Sequence, residues 1–261
     1  MANDYWKERQ AKAQKAITDK SIKETNTQLR KYYKQAMNSC INDFEATYNK
    51  VQATIKDGKE ITPADFYKLD SYWRMVGQTK AELQKLGDKE SEFLVDMFIE
   101  QYKRSHKGLA IATSDAFGTI STDMAQQMIN NIWCADGKSW SDRVWENITK
   151  LQQALNDGLI ECVVTGKSTN ELKQKLREEF NVSYGRASTL VRTEMAHLET
   201  VAAQERYKQY GMQEVEVWAD YDERRCDVCG KLHQKRFKIT EQMPIPAHPN
   251  CRCCILPVVE D

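Results

Sequence analysis

Between Asp4 and Ile55 the chain contains neither glycine nor proline, and only one of its five prolines, Pro63, precedes residue 244. Proline removes a backbone donor and clashes with the preceding turn, so a chain that withholds it for so long leaves helix unobstructed. Along the first run Ile22, Leu29, Tyr33, Met37, Cys40, Phe44, Tyr48, Val51 and Ile55 recur at helical intervals, the spacing of one apolar stripe. An unbroken helix of about 50 residues would reach on the order of 75 Å. Such a helix is expected to project or to pair with another.

Asp57-Gly58 should end it, and Thr62 with Pro63 supplies an N-cap and first-turn proline for a second helix carrying Phe66, Leu69, Tyr72, Trp73, Val76 and Leu83, closed by Gly87. A third helix is expected from about Ser91 to His106, stopping at Gly108, and Ser121/Thr122 can cap another that ends near Trp133. The stretch from Asp136 to Trp145 opens a helix reaching Val164, where Thr165-Gly166 breaks it. Leu172, Leu176 and Phe180 give the next helix its face, and a further one is expected from near Ser183 to Tyr210, terminated by Gly211. Beyond that glycine the period changes. Val215, Val217 and Tyr221 alternate as in a strand, with Arg236 to Ile239 as a hairpin partner. The expected fold is mainly α: a long N-terminal helical arm, a helical middle, and a small C-terminal zinc-braced β-hairpin module, α+β in character. The arm is placed at residues 1–107 and a second domain at 108–261, with the module at about 212–258.

The 38 basic and 38 acidic side chains cancel, so no whole-chain field draws the protein to nucleic acid or to a membrane, and any such contact must be local. No apolar stretch approaches a membrane span, and the N-terminus lacks the apolar run of a secretory signal. The protein is therefore expected in the cytosol. Five of the eight cysteines fall in the last 36 residues. In a reducing compartment such clustering favours metal over disulfides. Cys40, Cys134 and Cys162 are scattered and suit small buried side chains.

The sharpest local signal is Cys226-Asp-Val-Cys229, followed after eighteen residues by His248-Pro-Asn-Cys251-Arg-Cys253. Two residues between donors let both reach one ion from a tight turn, and each arm repeats that spacing. Thiolate and imidazole donors in a tetrahedron suit zinc, and iron accepts the same set. Cys226 and Cys229 are the surest ligands; His248, Cys251 and Cys253 compete for two places. Cys254 and His233 are read as bystanders. The bland alternative is a group of free or disulfide-paired cysteines in a small β module.

Around this knuckle Arg224, Arg225, Lys231, Lys235, Arg236 and Lys238 face Asp227 alone, a local balance of +5. Such a patch can sit against phosphates, or equally be a solvated face or a surface for an acidic protein. Glu194-Met-Ala-His197 has the spacing of a di-iron half-site, but the second pair such a site needs is missing, which leaves a helix-surface pair. A zinc-anchored nuclease of the HNH type is the main competing reading. Its catalytic histidine would stand on the strand before the metal turn, where this chain has Trp218-Ala-Asp-Tyr.

From about Asp136 to Val258 the chain resembles the Mu F-like minor head proteins of tailed phages, which act in head morphogenesis. The resemblance rests on ordered elements: Ser141-Asp-Arg-Val-Trp145, Gly166-Lys-Ser168, Arg192-Thr-Glu194, Tyr210-Gly211 with the strand ending at Trp218, Asp222 to Cys229, and His248 to Cys253. Departures are Arg225 for a usual threonine, Gln234 for a favoured glycine, and Ile245-Pro-Ala for a double proline. The resemblance implies a non-enzymatic, low-copy virion protein that binds the portal during procapsid assembly and is packaged inside the head. Scaffold or major capsid protein and non-specifically held double-stranded DNA are further implied partners, and the host cytoplasm is the site of assembly. Some relatives carry a toxin domain after this module; the eight residues beyond Cys253 leave no expectation of one here. A zinc-dependent nucleic-acid binder or HNH-type nuclease is the alternative.

Overall fold

The computed structural model describes residues 2–54, 67–111, 120–219 and 225–258. Among them are helices α1 (Ala2–Thr54), α2 (Asp70–Ile111), α3 (Thr122–Ile129), α4 (Trp140–Val164) and α5 (Thr169–Gln209), then β1 (Glu214–Trp218), a short α6 (Asp227–Leu232), β2 (Arg236–Lys238) and β3 (Cys254–Pro257). The expected mainly α chain with a small C-terminal β module is what folds. The expected helix start at Thr62 and Pro63, together with Ile55, Phe66, Tyr221 and Arg224, lies outside the described residues.

Three expected breaks are absent. Gly87 was expected to close a helix, but α2 runs through both Gly87 and Gly108 to Ile111. Each glycine is a point of close approach instead. A Cβ at Gly87 would lie 2.6 Å from Trp145 Cζ3, and one at Gly108 would collide with Ile17 Cδ1. The helix tolerates the unfavourable propensity of glycine, about 1 kcal/mol each, because a large side chain packs where the Cβ would be. Likewise α5 passes Ser183 without interruption. Ser183 is fully buried and its carbonyl accepts the Asn147 side-chain amide at 2.9 Å. Other boundaries fall where local chemistry puts them. Ser121 caps α3 by accepting from Met124 N–H at 3.2 Å, although α3 ends at Ile129 rather than near Trp133. Ser168 accepts from Glu171 N–H while Glu171 Oε2 accepts from Ser168 N–H at 2.7 Å, a reciprocal capping box at the start of α5.

The chain divides into two compact units of interleaved segments. One comprises residues 27–92 and 141–187. Its core is built by Leu29, Tyr33, Cys40, Phe44 and Tyr48 of α1 with Met75, Leu83, Leu151, Leu155, Leu176 and Phe180. The apolar stripe of α1 is thus paired and buried rather than projecting. Inside this core Tyr33 Oη donates to Glu90 Oε2 at 2.9 Å and accepts from Asn147 Nδ2 at 3.0 Å. Burial pushes the Glu90 carboxyl up to about 7. Cys40 and Cys162 are fully buried, with burial raising the Cys40 thiol to about 12, as suits packing side chains; Cys134 is only partly covered.

The other unit comprises residues 1–26, 93–140 and 188–261. A hydrogen-bonded relay ties three helices here: Gln101 Nε2 donates to Thr18 Oγ1 at 2.8 Å, and Thr18 donates to Glu199 Oε2 at 2.6 Å. The C-terminal strands form one antiparallel sheet in the order β2-β1-β3. Phe237 pairs with Val215, Ile255 with Val217 and Cys254 with Trp218. The expected hairpin is present, and β3 is an addition that sequence periodicity did not indicate. Ala203 and Tyr207 of α5 share one apolar cluster with Val215, Val217 and Ile255, so the sheet is anchored to the helix before it.

Candidate metal centre

Gly211, at φ +75°, ends the α5 segment in the left-handed conformation that glycine adopts without strain, and Met212 N–H returns to the Tyr207 carbonyl at 3.0 Å. That turn launches β1 across the helix. Tyr207 itself receives the Gln10 and Gln14 side-chain amides on its hydroxyl at 2.9 and 2.8 Å. Gln204 Nε2 donates to the carbonyls of Ile239 and Glu241, at 2.6 and 2.8 Å, holding the segment that follows β2 against α5.

The first donor arm is α6. Cys226 is its N-cap, and the Cys226 sulfur accepts the Cys229 N–H at 3.4 Å. The cap therefore turns both sulfurs toward the same side. The second arm is the turn from His248 to Cys253. His248 Nε2 lies 3.2 Å from Cys226 Sγ and 3.1 Å from Cys229 Sγ, while Cys229 and Cys251 sulfurs are 3.8 Å apart. Donor atoms of Cys226, Cys229 and His248 all fall within 4.8 Å of one another, as do those of Cys229, Cys251 and Cys253. Cys229 belongs to both groups. The five residues singled out from sequence as metal ligands thus converge on one place.

This donor set fits a tetrahedral ion. Zinc–sulfur bonds of about 2.3 Å imply sulfur–sulfur edges of about 3.8 Å, and zinc–nitrogen bonds of about 2.1 Å imply edges of about 3.6 Å. The Cys229 to Cys251 edge meets the first value, and the nitrogen edges are slightly tighter. His248 Nδ1 lies 2.8 Å from the Pro249 carbonyl. A proton held there leaves the Nε2 lone pair facing the sulfurs, the usual orientation of a ligating imidazole. The same carbonyl raises the His248 pKa. The Cys229 N–H lowers the Cys226 thiol, burial raises Cys229 to about 12, and the Cys253 thiol beside it draws Cys251 down to about 5 while Cys253 itself is raised. Metal binding requires the ligating thiols to give up their protons. A divalent cation would neutralise their negative charge.

Cys254 and His233 are absent from both donor groups. Because side chains alternate along a strand, Cys253 and Ile255 join the cluster beneath the donors, while Cys254 and Leu256 pack with Trp218 on the opposite face. His233 Nδ1 accepts the Ala219 N–H at 3.2 Å, and its ring meets the Trp218 edge at 4.9 Å. Of the basic patch, Lys231, Lys235, Arg236 and Lys238 are exposed and Arg225 is partly covered. Arg236 and Lys238 share one face of β2, with Arg236 4.0 Å from Glu214.

Sequence reading missed what holds the second arm. Arg192, Thr193 and Glu194 occupy adjacent positions of α5 and each ties down a different segment. Arg192 Nη1 lies 3.6 Å from Asp19 of α1; Thr193 Oγ1 accepts the Asn250 N–H at 3.1 Å; Glu194 Oε2 accepts the Trp133 indole N–H at 3.0 Å. Asn250 sits at φ +62°, a conformation asparagine tolerates better than most residues. Glu194 and His197 are not the helix-surface pair expected: Glu194 is 6% exposed, and His197, its pKa lowered to about 4 by burial, stacks on Trp133 at 4.2 Å and 11°. Gln234, where the resemblance favours glycine, stands at φ +61° and donates its N–H to Val217 at 2.7 Å.

Fold and site define a largely helical protein closed by a small β module whose cysteines and histidine can hold a metal ion. Residues 153–256 match the family of Phage Mu protein F like proteins. That segment contains Gly166-Lys-Ser168, the Arg192-Thr-Glu194 triplet and both donor arms, whereas Ser141 to Trp145 precedes it. The family is one of phage head morphogenesis and is structural rather than catalytic. The chain is also 22% identical, over 99% of its own length, to the NAD(+)-arginine ADP-ribosyltransferase EFV of Enterococcus faecalis, of which it spans 55%. The activity in that name belongs to the relative; a likeness of this degree over about half its length does not establish catalysis here. No solved structure matches. Among the described residues no helix is long and apolar enough to cross a membrane.

Proposed function

We propose that this chain is a minor head protein of a tailed phage or prophage that binds the portal during procapsid assembly and is packaged inside the head. The observation that carries this reading is the family match over residues 153–256, a segment in which Thr193 holds the second donor arm through the Asn250 N–H. In this reading residues 1–107 are an N-terminal helical arm and residues 108–261 the head-protein domain. Scaffold or major capsid protein is a secondary partner, and the host cytoplasm is where assembly occurs. One zinc ion is held by Cys226, Cys229, His248 and Cys251, with Cys253 donating a hydrogen bond to the Cys251 sulfur, and it serves as a structural brace. Exposed Lys231, Lys235, Arg236 and Lys238, with Arg224 and Arg225, give contact with packaged DNA that is weak, indifferent to sequence and steeply reduced by salt.

Removing residues 1–56 would strip buried side chains such as Leu29, Phe44 and Tyr48 from the core, so the whole chain is the reagent for the test. Co-expressed with the portal protein of the same phage, it should co-purify in a defined ratio. Failure to bind portal, combined with metal-dependent cleavage of a plasmid, would instead favour the zinc-dependent nuclease.

A further inference from the structure

Zinc at Cys226, Cys229, His248 and Cys251 leaves one of the converging donors, Cys253, outside its tetrahedron. The Cys253 thiol is nevertheless within hydrogen-bond reach of the Cys229 and Cys251 sulfurs. Those two are 3.8 Å apart, and all three sulfurs fall within 4.8 Å of one another. This inner group differs in kind from the outer one. Cys226 and His248 are partly exposed, and His248 brings the nitrogen; Cys229, Cys251 and Cys253 are 5%, 2% and 6% exposed and share an apolar cluster with Val217, Ile245 and Ile255. The inner sulfurs also have an approach of their own. A cavity of about 30 Å³, enough for about one water molecule, is lined by Cys251 and Cys253 together with Lys15, Arg192 and Arg252. Asp19 and Glu199 are the acidic side chains facing those cations, so the lining is net basic. Such surroundings favour thiolate over thiol and offset the negative charge of several thiolates gathered on one small cation.

We propose that Cys229, Cys251 and Cys253 form a second metal-binding mode of this module, an all-sulfur site for a soft monovalent ion, copper(I). Soft thiolates select copper(I), and a set without imidazole or carboxylate suits it better than it suits a harder ion. Copper(I) is satisfied by a triangle of sulfurs, whereas structural zinc takes a tetrahedron. The apolar cluster keeps water and oxidant from the ion. Cys229 and Cys251 serve both ions, so the two occupancies exclude one another: Cys226 and His248 complete the zinc set, and Cys253 completes the copper set. No electron moves, since copper enters and stays as copper(I) while the thiol protons leave to solvent. The inference rests on the reading of the module as a metal centre and adds a second occupant to it.

The test titrates the full chain as purified, without oxygen, with copper(I) buffered by a chromophoric copper(I) chelator, for wild type, His248→Ala and Cys253→Ser. Metal content is read by plasma mass spectrometry and the neighbours of bound copper by X-ray absorption. Wild type should take about one copper(I) per chain, with sulfur neighbours and no nitrogen, and release its zinc. His248→Ala should hold zinc at least about tenfold more weakly yet keep copper(I) within about threefold of wild type. Cys253→Ser should keep its zinc and bind copper(I) at least about tenfold more weakly. If Cys253→Ser fails to fold, His248→Ala and the wild-type spectrum carry the test. A nitrogen neighbour on copper, copper(I) affinity that falls with His248→Ala, or affinity unchanged in folded Cys253→Ser would each overturn the proposal. Wild type that is purified without zinc and still takes copper(I) on sulfur alone would count against the zinc brace and for this site, so the two readings fail separately.

Discussion

The side-chain hydroxyl of Thr193 accepts the backbone N–H of Asn250 at 3.1 Å, so a residue in the middle of a long helix fixes the turn between two of the five donors, His248 and Cys251. The same hydroxyl donates to the Thr189 carbonyl at 2.7 Å, which orients its lone pairs outward from the helix. Thr193→Val keeps the shape and removes the acceptor. Loss of one such bond costs about 1 kcal/mol, and outer supports of this kind are worth about tenfold or more in metal affinity. Competition against a chromophoric chelator should therefore show zinc held about tenfold more weakly, with helical circular dichroism unchanged. Equal affinity would mean that the turn is fixed without Thr193.

Gln234 stands at φ +61°, where the resemblance implies a glycine, and the backbone conformation would suit one. A side chain in the left-handed region costs about 1–2 kcal/mol, of which glycine recovers all but its extra freedom in the unfolded chain, about 0.4–1 kcal/mol. Gln234→Gly should stabilise the protein by roughly 0.5–1 kcal/mol in denaturant titration. The Val217 hydrogen bond uses the backbone N–H and survives the change.

Glu90 should make stability fall as pH rises. Its pKa in the folded chain is raised from 4.5 to about 7, chiefly by burial, so between these values the folded state keeps a proton that the unfolded chain releases. The contribution is complete below about 4.5 and lost as pH rises through about 7. His197, lowered from 6.5 to about 4 by burial, acts in the opposite sense, its contribution being lost as pH falls through that interval. The difference between wild type and Glu90→Gln cancels the histidine. Wild type minus variant should drop by on the order of 3 kcal/mol between pH 4.5 and 8. A flat difference would show Glu90 ionised throughout.

The helices were legible because withheld proline and helical spacing act locally. Two of the misplaced breaks share a cause: glycine at positions 87 and 108 looks like a stop until Trp145 and Ile17 are seen in the space a Cβ would need. That contact is between residues distant in the chain, and no local pattern announces it. The five donors were legible because an ion imposes its own spacing on each arm. Their supports were not, since Thr193 and Asn250 are 57 positions apart and each is unremarkable alone. Strand β3 was hidden for a different reason. Its first residue, Cys254, directly follows the donor run, its last, Pro257, is of a type that usually demotes a strand, and it pairs only on its β1 side.

The donor module shares an apolar cluster with Ala203 and Tyr207 of α5, so a bound ion would order the donor arms rather than the whole sheet. Structural zinc in small modules contributes on the order of 10 kcal/mol at neutral pH, ample to decide whether these arms are ordered. The direct measurement is metal content of freshly purified protein by plasma mass spectrometry, for wild type, Cys229→Ser and Cys254→Ser, with limited proteolysis alongside. About one zinc per chain is expected in wild type and Cys254→Ser. None is expected in Cys229→Ser, with new cleavage between residues 226 and 253 and helical circular dichroism largely kept. Metal-free wild type, with a protease pattern that Cys229→Ser leaves unchanged, would contradict the account and leave the cysteines as packing residues.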